Sequence, residues 1–174
     1  MDVEVEGFES WYLGLHPVLL SSLTVVAGDV DEAREATDEA FARALERWPR
    51  VKDMESPSGW VFRTALNVVK RRARRQNLER RLLGRVAPEL ESPLGWSVEV
   101  LEALRALPER ERVAIALRYV ADLSTTQIAQ VMGVAPGTVG STLSAGRRRM
   151  AIALGDDPAD VDVVDLEEVF DGEG

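Results

Sequence analysis

Apolar residues along this chain recur at intervals of three and four, and no run alternates at intervals of two as a half-buried strand would. Phe8, Trp11, Tyr12, Leu15, Leu19, Leu20 and Leu23 predict a helix over 8–27 with one buried face. Gly28-Asp29 breaks it, and Asp31 is placed to cap the next helix, 31–48, whose inward set is Ala33, Ala36, Ala40, Phe41, Ala44, Leu45 and Trp48. Two prolines and mixed charge make Pro49 to Ser58 a loop. A third helix starts at Pro57-Ser58 and ends near Leu83, with Trp60, Val61, Thr64, Leu66, Val68 and Val69 partly buried. For Trp60 taken alone, burial in the core is the expectation, because large aromatics are mostly buried. Residues 84–97, GRVAPELESPLGWS, lack a periodic apolar set and read as a linker. Helices follow at 98–107 and 109–121, with Pro108 suited to a first turn.

The segment after them has a distinct local grammar. Ser124 to Met132 reads as a short helix with Ser124 as N-cap and Ile128, Ala129 and Met132 inward. Gly133 suits the left-handed conformation that ends a helix, Val134 packs into the turn, and Pro136 opens the next helix with Val139 and Leu143 buried. Two short helices about a tight glycine turn form the geometry that lays a second helix in the DNA major groove. The same geometry also serves an αα-hairpin with no DNA role. Arg147, Arg148 and Arg149 close the second helix, where they suit either phosphate contact or the helix C-terminal dipole. The fold class expected is all-α: two small helical domains joined by a flexible linker, the second containing a helix-turn-helix. The boundaries are 1–83, linker 84–97, 98–154 and a tail at 155–174.

Charge changes this picture more than composition does. Over 174 residues, 45% are apolar and 29% charged, an ordinary globular mix, with a net charge of −9. The tail 155–174 holds nine acids and no base, so the remainder is neutral. Within 63–85 stand nine basic residues, Arg63, Lys70, Arg71, Arg72, Arg74, Arg75, Arg80, Arg81 and Arg85, against Glu79 alone. A local basic stripe outweighs the acidic average as a sign of a nucleic-acid partner. Trp60, Phe62 and Asn67 lie just before it, and aromatic and amide groups beside arginine suit a surface that stacks splayed bases and holds their phosphates.

The exclusions are firm for metal and thiol chemistry. Cysteine is absent, so disulfides, thiolate zinc sites and cysteine nucleophiles are excluded. The single histidine, His16, precedes Pro17 inside an apolar helix and reads as structural. No catalytic residue, metal ligand or cofactor is expected, and the carboxylates of 29–39 lie on a solvent-facing helix beside no nucleophile. The uncharged apolar stretch from Pro17 to Ala27 falls short of the roughly 18 to 20 residues of a membrane helix. The first residues are acidic where a signal peptide is basic. No membrane insertion and a cytoplasmic location are therefore the expectation.

Residues 8–83 followed by 101–150 resemble an extracytoplasmic-function sigma factor of bacterial RNA polymerase. Three segments carry the resemblance: DEAREATDEAFARAL (31–45), WVFRTALNVVKRRARR (60–75) and LPERERVAIALRYVADLSTTQIAQVMGVAPGTV (107–139). The resemblance implies core RNA polymerase and promoter DNA as partners, with an anti-sigma factor as a further partner the family admits. It implies that Asp38, Glu39 and Phe41 bind the polymerase clamp. The loop Arg50 to Ser58 would help capture a flipped −10 base, Asn67 would line its pocket, and Arg63, Lys70, Arg71 and Arg74 would hold the separated strand. The linker 84–97 would thread through polymerase toward its active site. Residues 136–149 would read the −35 element, through Pro136, Thr138, Ser141, Thr142, Arg147 and Arg148.

The chain departs from the family where basic residues usually follow the GTV of the second helix: Gly140, Thr142 and Ala145 stand there. Each missing phosphate contact removes salt-dependent affinity, leaving Ser141, Thr142 and Ser144 as neutral donors. The alternative reading is a free-standing helix-turn-helix regulator. That reading needs a dimer and a basic recognition helix, and this helix is poor in bases. The tail also carries Val163, Leu166, Val169 and Phe170 at helical spacing, which suits either a solubility tail or a short amphipathic helix docking on the arginines.

Overall fold

The computed structural model describes the backbone at residues 2–83 and 95–155 and the side chains at 7–75 and 95–155. All regular structure among these residues is helical. The chain divides into two compact units, Met1–Glu89 and Leu90–Gly174. Most of the linker and all but the first residue of the acidic tail lie outside the described residues.

The first unit is built from α1 (Asp2–Ala27), α2 (Val30–Glu46), the short α3 (Trp48–Val51) and α4 (Pro57–Leu83). Helices α1, α2 and α4 pack on one another, and α3 lies against α1 and α2. Leu19, Leu23, Ala33, Ala36, Ala40, Ala44, Val51, Val61, Phe62, Ala65 and Val68 form the core. The alanines of α2 are the reason its partners approach closely, since Ala33, Ala36, Ala40 and Ala44 are fully buried and leave no side chain to hold the helices apart. Above this aliphatic core sits an aromatic cluster. Phe41 packs edge-on to Trp11 at 5.4 Å and to Tyr12 at 4.8 Å, and Phe8 packs edge-on to Trp48 at 5.2 Å. His16 stacks at 5.8 Å on Phe41, so its structural reading stands.

Several expectations shift by a turn or less. Asp29, not Asp31, caps α2: its Oδ1 accepts from the Glu32 backbone N–H at 2.8 Å. Asp31 instead sits in the first turn, where it pairs with Arg34 at 2.7 Å. The loop expected from Pro49 begins with α3, because Pro49 fits an early helical position. Leu45, expected inward, is 51% exposed. The Gly7–Ala27 part of α1 does reach the length and apolarity of a membrane span, which the Pro17–Ala27 stretch alone did not. Its Leu19, Leu23, Val25 and Val26 are buried within the unit, so the same composition serves a core helix. Pro17 is tolerated inside α1 because it is exposed, as is Leu13, whose carbonyl loses its helical donor to the proline and is left to water.

The second unit contains α5 (Val98–Ala106), α6 (Glu109–Ile115), a π-helical turn (Ala116–Val120), α7 (Thr125–Met132) and α8 (Pro136–Leu154). Ser97 caps α5, and Pro108 stands just before α6 with extended ψ, one step earlier than expected. The helix expected over 109–121 widens at Ala116–Val120, so that Ala121 N–H reaches back to Ala116 and Leu123 N–H to Leu117 at 3.0 Å. Val113, Ala114, Ile115, Ala116, Leu117, Ile128, Val139 and Met150 form the core around α8.

Candidate nucleic-acid and polymerase interface

Helix α4 shows how a basic stripe is aimed. Its inward residues Val61, Phe62, Ala65, Leu66, Val68 and Val69 are buried. This fixes the rotation of the helix, and Arg63, Asn67, Arg71 and Arg74 come to the opposite, exposed face at spacings of four, four and three. Lys70 is half-buried at the margin of that stripe. Trp60 corrects the expectation of a core residue: it is half-buried, and stands two turns before Asn67 on the same side of α4. The seven-residue spacing from Trp60 to Asn67 carried that signal in the sequence. The N-terminus of α4 is closed by Ser56, whose hydroxyl accepts from Gly59 N–H at 3.1 Å. Arg50, Lys52, Asp53 and Glu55 of the preceding segment are exposed.

Helix α2 presents a second surface. Asp38 is exposed and its carboxylate lies 3.9 Å from His16 Nε2. Ala42 and Leu45, four and seven residues on, are exposed on the same face. Leu45 was missed as a surface residue because periodicity alone assigned it inward. Phe41, expected on this face, is 3% exposed and lies in the aromatic cluster, so it supports the helix from behind and presents nothing to a partner. Its inward place is the one that its own helical period gave.

Glu39 belongs to neither face alone. Its Oε1 accepts from Arg43 at 2.5 Å and from Arg71 at 2.8 Å, and its Oε2 lies 3.8 Å from Arg72. Arg72 also donates to Glu35. The expected polymerase residue Glu39 and the expected DNA residue Arg71 are thus bonded to each other across α2 and α4.

In the second unit, α7 and α8 form a helix-turn-helix. Ser124 accepts from Gln127 N–H at 3.3 Å while the Gln127 side chain accepts from Ser124 N–H at 2.8 Å, a complete capping box. Gly133 ends α7 at φ 68°, ψ 40°, the left-handed conformation that only glycine adopts cheaply. Ile128, Ala129 and Val131 face inward; Met132 is only half-buried, since Val131 takes the inward place at the end of the helix. Pro136 opens α8 after Ala135.

Along α8, Pro136, Gly137, Gly140, Ser141, Ser144 and Arg148 are exposed, while Thr138 and Arg147 are half-buried. Thr142 is 8% exposed, and its hydroxyl donates to the Thr138 carbonyl at 2.7 Å, so it is turned away from the surface expected to meet DNA. Ser141 donates to the same carbonyl at 3.0 Å from an exposed position. Arg149 Nε lies 2.9 Å from Glu111 Oε2, an ion pair whose angle falls short of a hydrogen bond. It ties α8 to α6. One turn earlier on the same side, Gly146 faces Ile115, whose Cγ1 stands 3.0 Å from where a Cβ would be. Arg112 is half-buried nearby, donates to the Arg105 carbonyl at 3.1 Å, and has its pKa lowered first by desolvation. Val139 and Leu143 anchor the inner side of α8 together with Gly146 and Met150, while Pro136, Gly137, Gly140, Ser141, Ser144 and Arg148 form its free side. Among the described residues, no cluster of acids and histidine is arranged to hold a metal ion.

Comparison with known proteins agrees with this division. Residues 11–79 match the family Sigma-70 region 2, and residues 97–150 match Sigma-70, region 4. The chain is 26% identical to the RNA polymerase sigma-E factor of Streptomyces coelicolor, over 95% of this chain and 96% of that one. It is 28% identical to the ECF RNA polymerase sigma factor SigL of Mycobacterium tuberculosis, over 74% and 78%. An uncharacterized protein of Rhizobium meliloti is 28% identical over 79% of this chain and 36% of its own length, so the chain spans about a third of that protein. In fold, the chain is similar to the sigma factor RpoE solved in complex with the anti-sigma factor NepR from Bartonella quintana. The TM-score is 0.77 at 22% identity, covering 87% of this chain and 99% of that one. With both regions matched in the same order and relatives similar along nearly their whole length, this chain belongs to the extracytoplasmic-function sigma factors of bacterial RNA polymerase.

Proposed function

We propose that this chain is the promoter-specificity subunit of a transcription-initiation complex: it binds core RNA polymerase, reads promoter −10 and −35 elements and assists strand separation, with no catalysis of its own. The observation that carries the reading is the single exposed stripe of α4, in which Asn67 stands between Arg63 and Arg71 with Trp60 two turns before it. An amide and an aromatic edge flanked by guanidinium groups serve a splayed base and its phosphates together. In this reading Arg63, Asn67, Lys70, Arg71 and Arg74 meet the −10 strand, joined by Trp60. Pro136, Thr138, Ser141, Arg147 and Arg148 meet the −35 element. Asp38 and Glu39 meet the polymerase clamp, with Ala42 and Leu45 as the apolar part of that surface. The protein works in the cytoplasm. An anti-sigma factor is a further partner by analogy with the Bartonella protein, which was solved with one.

A free-standing regulator would leave the α4 stripe without a use, because a helix-turn-helix alone reads duplex DNA. Run-off transcription with core polymerase on a promoter library tests the reading. Transcripts dependent on this chain, lost with Arg63→Ala/Arg74→Ala, are expected. Promoter-sized duplex binding without polymerase, and no transcript with it, would overturn it.

A further inference from the structure

The geometry points to a coupling device at the α2–α4 contact: Glu39 holds Arg71 in the free chain, and a partner cation that takes Glu39 releases Arg71 to nucleic acid. The inference rests on the proposed function for the identity of the two surfaces, and adds the link between them.

Three arginines, Arg43, Arg71 and Arg72, converge on two carboxylates, Glu35 and Glu39. Glu39 is the shared member, since all three guanidinium groups lie within 4 Å of its oxygens, at 2.5, 2.8 and 3.8 Å. Arg43 follows Glu39 by one helical turn on α2, the favourable order for such a pair, and orients the carboxylate from within its own helix. Arg71 comes from the other helix, thirty-two residues on, and is 61% exposed while Glu39 is 27% exposed. Arg71 therefore reaches inward from the nucleic-acid stripe to a carboxylate that stands beside Asp38 on the polymerase side. His16 also faces this part of α2, and it addresses Asp38.

The consequence is competitive. Oε1 already accepts two charge-assisted bonds, so a cation arriving from a partner weakens the hold on Arg71. An arginine freed from a carboxylate meets a phosphate without first giving up that bond. By linkage the effect is reciprocal: phosphate on Arg71 leaves Glu39 more available to the partner, by the same factor. Exposed ion pairs set the size, about two- to fivefold.

The test measures binding of the intact chain to a fluorescein-labelled oligothymidylate in a salt series, without polymerase. Glu39→Gln is expected to tighten binding about two- to fivefold at low salt. It is also expected to steepen the salt dependence by about 0.7 in log–log slope, the value of one single-stranded phosphate. In an Arg71→Ala/Arg72→Ala background the gain should disappear. Arg71→Ala should tighten binding to core polymerase by a factor similar to the gain from Glu39→Gln, measured by competition with labelled wild-type chain. Glu35→Gln, at an exposed acid that engages Arg72, provides a second variant should Glu39→Gln lower the melting temperature. Unchanged or weaker oligothymidylate binding by both Gln variants overturns the coupling, as does a gain that survives removal of the arginines. If Arg71→Ala leaves oligothymidylate binding unchanged, the assignment of Arg71 to nucleic acid fails, and the coupling with it.

Discussion

The same substitution at two glycines of α8 should have opposite signs. At Gly140 an added Cβ meets nothing within 4 Å, whereas at Gly146 it meets Ile115 Cγ1 at 3.0 Å and Cδ1 at 3.3 Å. Alanine gains about 1 kcal/mol over glycine in a helix interior, and at Gly140 that gain stands alone. At Gly146 it is opposed by overpacking, which costs about 1–3 kcal/mol in a close-packed core. Ile115 is 0% exposed and β-branched, with one strongly preferred χ1 rotamer in a helix, so it yields little. Gly146→Ala should therefore destabilise the second unit by about 1 kcal/mol. For a domain of this size, that is a fall of about 4–8 °C in its melting transition, and Gly140→Ala should raise it by a similar amount. Scanning calorimetry of the full chain reads both. Ile115→Val removes Cδ1 and should reduce the cost of Gly146→Ala by about 0.5 kcal/mol or more in a double-mutant cycle. If Gly146→Ala and Gly140→Ala raise the transition alike, Ile115 moves aside freely and the α6–α8 contact does not fix the helix.

The other expectations concern single groups. Ser124→Ala removes the capping box at α7 and should cost about 1 kcal/mol, read in the same calorimetric transition. Asn67→Ala, at an exposed position, should leave the first unit's melting within about 0.5 kcal/mol of wild type while open-complex formation, followed by permanganate reactivity of the −10 region, falls. Gly140→Lys places a cation on the exposed face of α8, and should steepen the salt dependence of duplex promoter binding by about 0.9 in log–log slope. Deletion of 155–174 removes nine acids and no base, so DNA binding at low salt should tighten and the difference should fade as salt rises. Unchanged binding would leave those acids a solubility tail.

What was legible in the sequence was what local chemistry decides. The helix-turn-helix follows from local signals: Ser124 at a helix N-cap, Gly133 at a left-handed turn, Pro136 at a helix start. The α4 stripe was legible because Val61, Leu66, Val68 and Val69 read as inward and the structure buries them, which leaves the arginines the opposite face. Phe62, which reads with Trp60 as an aromatic suited to stacking bases, is 1% exposed and belongs to the core instead. Periodicity even overruled a resemblance at Phe41, which its spacing set inward and the structure buries. Cap and loop boundaries were less legible: Asp29 and Asp31 both suit a cap, and only the backbone decides which carboxylate reaches Glu32 N–H. Beyond the reach of local rules lay whatever depends on a distant partner. The π turn at Ala116–Val120 has no composition that marks it. The bond from Arg71 to Glu39 spans thirty-two residues, and each partner alone reads as an ordinary solvated charge.

These observations divide the labour of the two units by charge. In α8, Arg149 pairs with Glu111, Thr142 turns its hydroxyl back to Thr138, and the exposed side of the N-terminal half offers small neutral residues. Hydroxyls and a glycine-lined face can discriminate base edges, but they release few counterions, so they add little of the salt-dependent affinity that supplies most non-specific binding. Arg147 and Arg148 add some of it late in α8, but most such cations stand on α4, where Arg71 and Arg72 are held by carboxylates of α2. In the proposed function, α8 therefore supplies less of the general affinity for DNA than α4 does. The stronger attraction of α4 for phosphates is tempered by Glu35 and Glu39, on the helix whose outer face suits a protein partner. In the proposed function, stray binding to DNA before polymerase arrives is limited by few cations in α8, Arg147 and Arg148 among them, and by paired charge in α4.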